Sequence, residues 1–235
     1  MKHITIYFLI VISLLLAACK DKAAAKKLDI PINQKIDGLM KDAAAATDEN
    51  KKAALYGEAS ELLIDKGDMR QAMLAARNGE RANPTQKQCL ASIAEVQISE
   101  GKINEAGLTL KDLLQRHPQY GRAHFIQGNL NASRNDFAGA IKSYDLAEKH
   151  KFTDVRLLLN HGNVSLRMKK TRDAAKSYAR AIAAYPDVAE GYLGAGIAAQ
   201  AEKKKADAKK NFEKFLELAP HASQAQRVRL WMKNL

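Results

Sequence analysis

Six histidines and two cysteines are the side chains of this chain best suited to hold a metal or act as a nucleophile. A helical metal site brings its ligands together by spacing, as when two histidines stand four apart on one face. His3, His117, His124, His150, His161 and His221 include no such pair. Cys19 and Cys89 form no CxxC and no paired-cysteine ligand spacing. No GxSxG, P-loop or HExxH occurs, and Gly107, Gly121, Gly139 and Gly191 form no run that could cradle a phosphate. Asp65 and Asp68 flank a turn, where acids are common. His161 reads as a hydrogen-bonded core histidine. The residues able to do chemistry therefore point to no enzyme, no metal and no cofactor.

The informative spacing is longer. Gly128, Gly162 and Gly196 recur every 34 residues, and Pro84 with Pro118 and Pro186 with Pro220 keep the same period. A fixed period of this length marks a chain of stacked helix–turn–helix units, an architecture that binds rather than catalyses. With each unit ending two residues after its proline, five frames abut without insertion: 53–86, 87–120, 121–154, 155–188 and 189–222. Position eight reads Ser60, Ala94, Gly128, Gly162 and Gly196, and position twenty is alanine throughout: Ala72, Ala106, Ala140, Ala174 and Ala208. Small side chains there let the two helices of a unit approach closely. Position 24 supplies the bulk between them, as Ala76, Leu110, Tyr144, Tyr178 and Phe212, weakest in the first unit. The proline position is taken by Phe152 in the third unit. The turn inside each unit falls on Gly67, Gly101, Asn135, Lys169 and Lys203. Glycine and asparagine tolerate a left-handed cap, so the two lysine turns are expected to end their helices less sharply.

This pattern resembles the tetratricopeptide repeat, most closely over Asn160-His161-Gly162-Asn163, Ala174, Tyr178, Ala181-Ile182 and Pro186. Position four departs from the family's tryptophan, reading Tyr56, Leu90, His124, Leu158 and Tyr192, and Gly79 and Phe215 replace a favoured alanine. The resemblance implies an all-α fold, a right-handed α-solenoid of five tandem helix–turn–helix units with capping helices at both ends. Helical spacing of Ile32, Ile36, Leu39, Met40 and Ala43 places the N-terminal cap in 31–52, beginning near Pro31. Val228, Trp231, Met232 and Leu235 share one face of a C-terminal cap in 223–235, with Ser223 as its N-cap and Trp231 as end packing.

The chain opens with Lys2, His3 and an apolar run from Ile4 to Leu16, too short to span a bilayer and of signal-peptide form over 1–18. The run ends Leu16-Ala17-Ala18-Cys19, which resembles a bacterial lipobox. The resemblance implies acylation of the Cys19 thiol, leaving Cys89 without a disulfide partner as a small, half-buried helix residue. Lys20 follows the cysteine and the first acid is Asp21, which by the same resemblance favours the periplasmic face of the outer membrane over the inner membrane. Residues 19–30 carry Lys20, Lys22, Lys26 and Lys27 without apolar period and read as a basic tether.

A net charge of +12 invites nucleic acid, but a secretion signal argues against that partner. Lys169, Lys170 and Arg172 surround one intra-repeat turn and Lys203, Lys204 and Lys205 the next. Stacking sets these turns side by side as a basic ridge, either a solvated edge or a surface for an anionic partner. In the family, first helices line a groove. The corresponding positions here are Arg122, Phe125, Asn129, Arg156, Leu159, Asn163, Arg167, Leu193 and Ile197. They read as an apolar stripe of Phe125, Leu159 and Leu193 flanked by arginine and asparagine donors, a groove for a helix or extended peptide. Phe125→Ala with Leu159→Ala is accordingly expected to weaken partner binding without unfolding the chain.

The combination is similar to pilotin-type lipoproteins that help install the type IV pilus secretin, and to lipoprotein adaptors of peptidoglycan hydrolases. It implies a lipid-anchored scaffold for a protein or peptide partner in assembly of an envelope machine. The alternative is an accessory protein for an anionic glycan, lipid or solute in peptidoglycan remodelling, export or transport.

Overall fold

The structure is a computed structural model and describes residues 31–235. Cys19, the signal peptide and the basic tether lie outside the described residues. Twelve helices and no strand occur among those described: α1 (Ile32–Ala45), α2 (Glu49–Asp65), α3 (Met69–Ala82), α4 (Lys87–Ser99), α5 (Ile103–Arg116), α6 (Gly121–Ser133), α7 (Phe137–Lys149), α8 (Val155–Arg167), α9 (Thr171–Ala184), α10 (Ala189–Ala201), α11 (Lys205–Leu218) and α12 (Ala225–Lys233). Helices α2 to α11 pair as five antiparallel hairpins, each first helix also packing on the first helix of the next unit. The result is an all-α tandem-repeat solenoid.

The periodic small residues explain the pairing. All five alanines at position twenty are fully buried. A Cβ added at Gly128 would lie 2.3 Å from the Tyr144 ring, at Gly162 2.7 Å from Tyr178, and at Gly196 2.4 Å from Phe212. Each aromatic ring of a second helix thus rests on the bare backbone of its first helix. Gly162→Leu is expected to cost about 1–3 kcal/mol by overpacking, read as a lower urea midpoint; unchanged stability would disprove this register. In the first unit Cys89 from α4 inserts beside Gly79 and Gly57. An added Cβ at Gly79 would meet its sulfur at 2.4 Å. Cys89 is therefore wholly buried rather than half-buried, and burial pushes its thiol up to about 12.

The two lysine turns are as sharp as the others. Gly67, Gly101, Asn135, Lys169 and Lys203 take φ of 84°, 75°, 61°, 59° and 61°. In every one the next residue's N–H bonds back five residues, as Asp68 to Leu63 at 2.9 Å and Lys170 to Ser165 at 2.9 Å. The paired hydrogen bonds hold the turn whatever residue occupies it, and the lysines bear the Cβ clash. Lys169→Gly should raise stability by about 0.5–1 kcal/mol, because relief of the left-handed conformation exceeds the extra backbone entropy glycine loses. The check is a higher thermal midpoint.

Both ends depart from the sequence expectation in detail. The Asp48 side chain accepts from the Lys51 N–H and starts α2 at Glu49, so the chain breaks between α1 and the first unit. Ser223 does not cap α12; its hydroxyl donates to the Gln224 side chain, and the helix begins two residues later. Trp231 packs on Phe212 with ring centroids 5.8 Å apart, closing the end of the core.

Candidate functional site

The side-by-side first helices make one face, and its N-terminal half is an ionic lattice. Arg122 on α6 is buried and donates to Glu61 on α2 and, at 2.9 Å, to Glu95 on α4. Arg156 on α8 reaches Glu95 at 3.1 Å, Asp154 at 2.5 Å and Asp65 at 3.3 Å. Its guanidinium also lies over the Phe125 ring, 5.6 Å from the centroid. Burial alone would push the Arg122 guanidinium down, but the carboxylates of Glu95 and Glu61 outweigh it and hold the pKa above the ordinary arginine range. These two arginines are consumed by the fold and cannot serve as free carboxylate receptors.

Of the expected apolar stripe, Phe125 is closed to a ligand, while Leu159 and Leu193 keep part of their surface exposed. Phe125 is 1% exposed, between the rings of Phe152 (5.1 Å) and Tyr144 (6.2 Å). Leu159 is half-buried against Ala174 and Tyr178, and Leu193 and Ile197 are half-buried against the core around Phe212. The expected Phe125→Ala and Leu159→Ala loss of binding without unfolding is therefore withdrawn for Phe125.

What remains open is a cleft of about 430 Å³ between the third and fourth units. Asn129, Asn163 and Arg167 line it, joined by Asn160, Ser133 and Phe137. Burial raises the Tyr144 and Tyr178 hydroxyls above the ordinary phenol range, so both remain donors. Tyr144 donates to Asn129 Oδ1 at 2.9 Å, and Tyr178 donates to Asn163 Oδ1 at 2.7 Å. The Asn160 amide donates to the same Asn129 oxygen at 2.9 Å. Pinning each carbonyl this way fixes which end of the asparagine is free. The two carboxamide nitrogens, with two donors apiece, have no protein partner among the described residues. Arg167 lies over Phe137 at 5.6 Å and makes no ion pair among the described residues. The arrangement offers amide donors for backbone carbonyls and one planar cation, and it holds no nucleophile–base pair. Asn160 was missed as a site residue; it enters by donating to the Asn129 oxygen that already accepts from Tyr144.

His161 is hydrogen-bonded, with Nδ1 2.8 Å from Ser177 Oγ, but is half-buried rather than in the core. Lys169, Lys170, Arg172, Lys203, Lys204 and Lys205 are all exposed at the adjoining turns. Arg172 is close enough to Lys204 for its charge to oppose that of the ammonium, while Glu202, 2.6 Å away, supports it. The two turns therefore form one edge.

A second cleft, of about 840 Å³, opens beside Phe152, Leu157, Leu158, Arg180 and Tyr185. It marks the junction whose proline is replaced by Phe152. Lys151 there takes φ 60° to end α7.

The tetratricopeptide-repeat family matches residues 93–152 and 159–222, interrupted at this junction. No curated protein matches the chain. Among solved structures, PilF of Pseudomonas aeruginosa is similar with a TM-score of 0.68 at 16% identity, over 79% of this chain and 85% of that one. TTC0263, a thermophilic repeat protein of Thermus thermophilus, aligns with a TM-score of 0.62 at 19% identity, over 77% and 97%. YrrB, described as a repeat protein with an unusual peptide-binding site, aligns with a TM-score of 0.55 at 15% identity, over 83% and 98%. At these identities the likeness is one of fold.

Proposed function

The chain belongs to the tetratricopeptide-repeat family, and on that premise we propose that it is a lipid-anchored scaffold which binds an extended protein segment in the Asn129–Asn163 cleft. The observation that carries this reading is the pair of carboxamides whose oxygens are held by Tyr144 and Tyr178 and whose nitrogens are left to a ligand. An extended backbone presents carbonyls at the spacing of successive residues, and paired amide donors bind such carbonyls without demanding a particular side chain. The proposed anchor is the acylated Cys19 after Leu16-Ala17-Ala18, and the proposed location is the periplasmic face of the outer membrane. The proposed task is assembly of an envelope machine such as a pilus or secretion secretin. The support is the lipobox-like segment together with a fold similar to that of PilF.

Asn129→Asp with Asn163→Asp tests the cleft. Aspartate keeps the oxygen that accepts from each tyrosine and removes the amide donors. Partner capture by crosslinking from the native envelope is expected to fall about tenfold or more with the fold intact, since unmet backbone carbonyls carry a full desolvation cost. Undiminished capture would overturn the cleft as the site. Cys19→Ala, in the same cells, should move the protein from the membrane fraction to the soluble fraction.

A further inference from the structure

The two lysine-rich turns go against what their positions ask for. In the first and third units the turn and N-cap are Gly67-Asp68 and Asn135-Asp136, and both aspartates cap the following helix through their side chains. The fourth and fifth units place Lys169-Lys170 and Lys203-Lys204 at the same sites, with left-handed lysines and no side-chain cap on α9 or α11; the second unit shares the uncapped lysine, Lys102, but keeps a glycine turn at Gly101. Residues that break a local rule twice at equivalent sites mark a role outside the fold. The charge they bring is scarcely neutralised. Lys204 pairs with Glu202, whereas Lys169, Lys170, Arg172, Lys203 and Lys205 make no ion pair among the described residues. This contrasts with Arg122 and Arg156 on the first-helix face, which are matched by Glu61, Glu95 and Asp154.

Position decides the kind of partner. Arg167 lines the cleft and stands two residues before Lys169, so cleft and basic edge are continuous. A flat membrane could touch the edge but could not enter the cleft and meet Arg167 against Phe137. Resting on the cleft reading above, we propose that the partner segment is acidic, and that its carboxylates run from Arg167 onto the Lys169–Lys170 and Lys203–Lys204 turns. The acidic run gives the complex its orientation, and charge attraction speeds the encounter.

The test uses the purified chain and a short fluorescein-labelled peptide carrying two leucines followed by a run of glutamates, with its glutamine counterpart. Fluorescence anisotropy is expected to show the glutamate peptide binding about tenfold or more tightly, an advantage that shrinks as salt rises. The variant Lys169→Gly, Lys170→Asp, Lys203→Gly, Lys204→Asp restores the residues of the first unit, so it should stay folded while losing that advantage. Equal binding of both peptides, unchanged in the turn variant, would overturn the acidic partner and leave the cleft standing. Glutamate-peptide binding that needs the turn lysines but is indifferent to Asn129→Asp with Asn163→Asp would remove the cleft instead. Binding of phosphatidylglycerol vesicles, but not of the glutamate peptide, with the same lysine dependence would assign the edge to lipid and overturn the proposal.

Discussion

Phe125→Ala is expected to lower unfolding stability by about 3–5 kcal/mol, the range for removing a buried aromatic ring. The ring is 1% exposed and is held by Phe152, Tyr144 and the Arg156 guanidinium. Its loss would open a cavity where the third unit meets the fourth, and would leave Phe152, which takes the proline's place at that junction, without its stacking partner. The measurement is a urea titration followed by circular dichroism. A midpoint equal to wild type would return Phe125 to the surface and revive the apolar stripe. Leu159→Ala should cost less, because that side chain is only half-buried.

Arg122→Ala should be comparably severe, at about 3–5 kcal/mol, for a different reason. The side chain is 7% exposed, and Glu95 is 14% exposed. Removing the arginine strips Glu61 of its partner on this face and leaves Glu95 to Arg156 alone. Much of the cost is the stranded carboxylate rather than the lost attraction. A cycle of Arg122→Ala, Glu95→Ala and the double variant separates the two, and the double variant should be less unstable than the sum of the singles. Simple additivity would show that the pair does not interact. The effect should persist in high salt, since buried charges are poorly screened.

The architecture was legible because its causes repeat. Alanine at Ala106, Ala140 and Ala174 and glycine at Gly128, Gly162 and Gly196 each report a close helix approach, and a period of 34 turns separate weak signals into one strong one. The start of α2 was less legible because Asp48 acts once, outside the period. The site was least legible. Whether Arg122 faces solvent or carboxylates depends on Glu61 and Glu95, which lie 61 and 27 residues away in sequence, and on how the units curve. Asn129 and Asn163 were named as groove positions, but the pairing that fixes their orientation was missed. Tyr144 and Tyr178 each have asparagine 15 residues earlier, whereas Phe212, lacking a hydroxyl, has Ile197 there. That matched change from Asn–Tyr to Ile–Phe identifies the asparagine oxygens as scaffold and the nitrogens as the free groups.

The lattice of Arg122 and Arg156 has a consequence for how the chain comes apart. A solenoid whose units touch only their neighbours unfolds as a one-dimensional array, with stability summed link by link. Here Arg122 ties the third unit to the first, and Arg156 ties the fourth to the second. These bonds reach past the adjacent unit, so the first four units share a common opening energy, while the fifth and its terminal helix are joined by near-neighbour packing and fray separately. Hydrogen exchange would resolve them as two cooperative blocks, with the cleft inside the more durable one and half of the basic edge on the part that opens first.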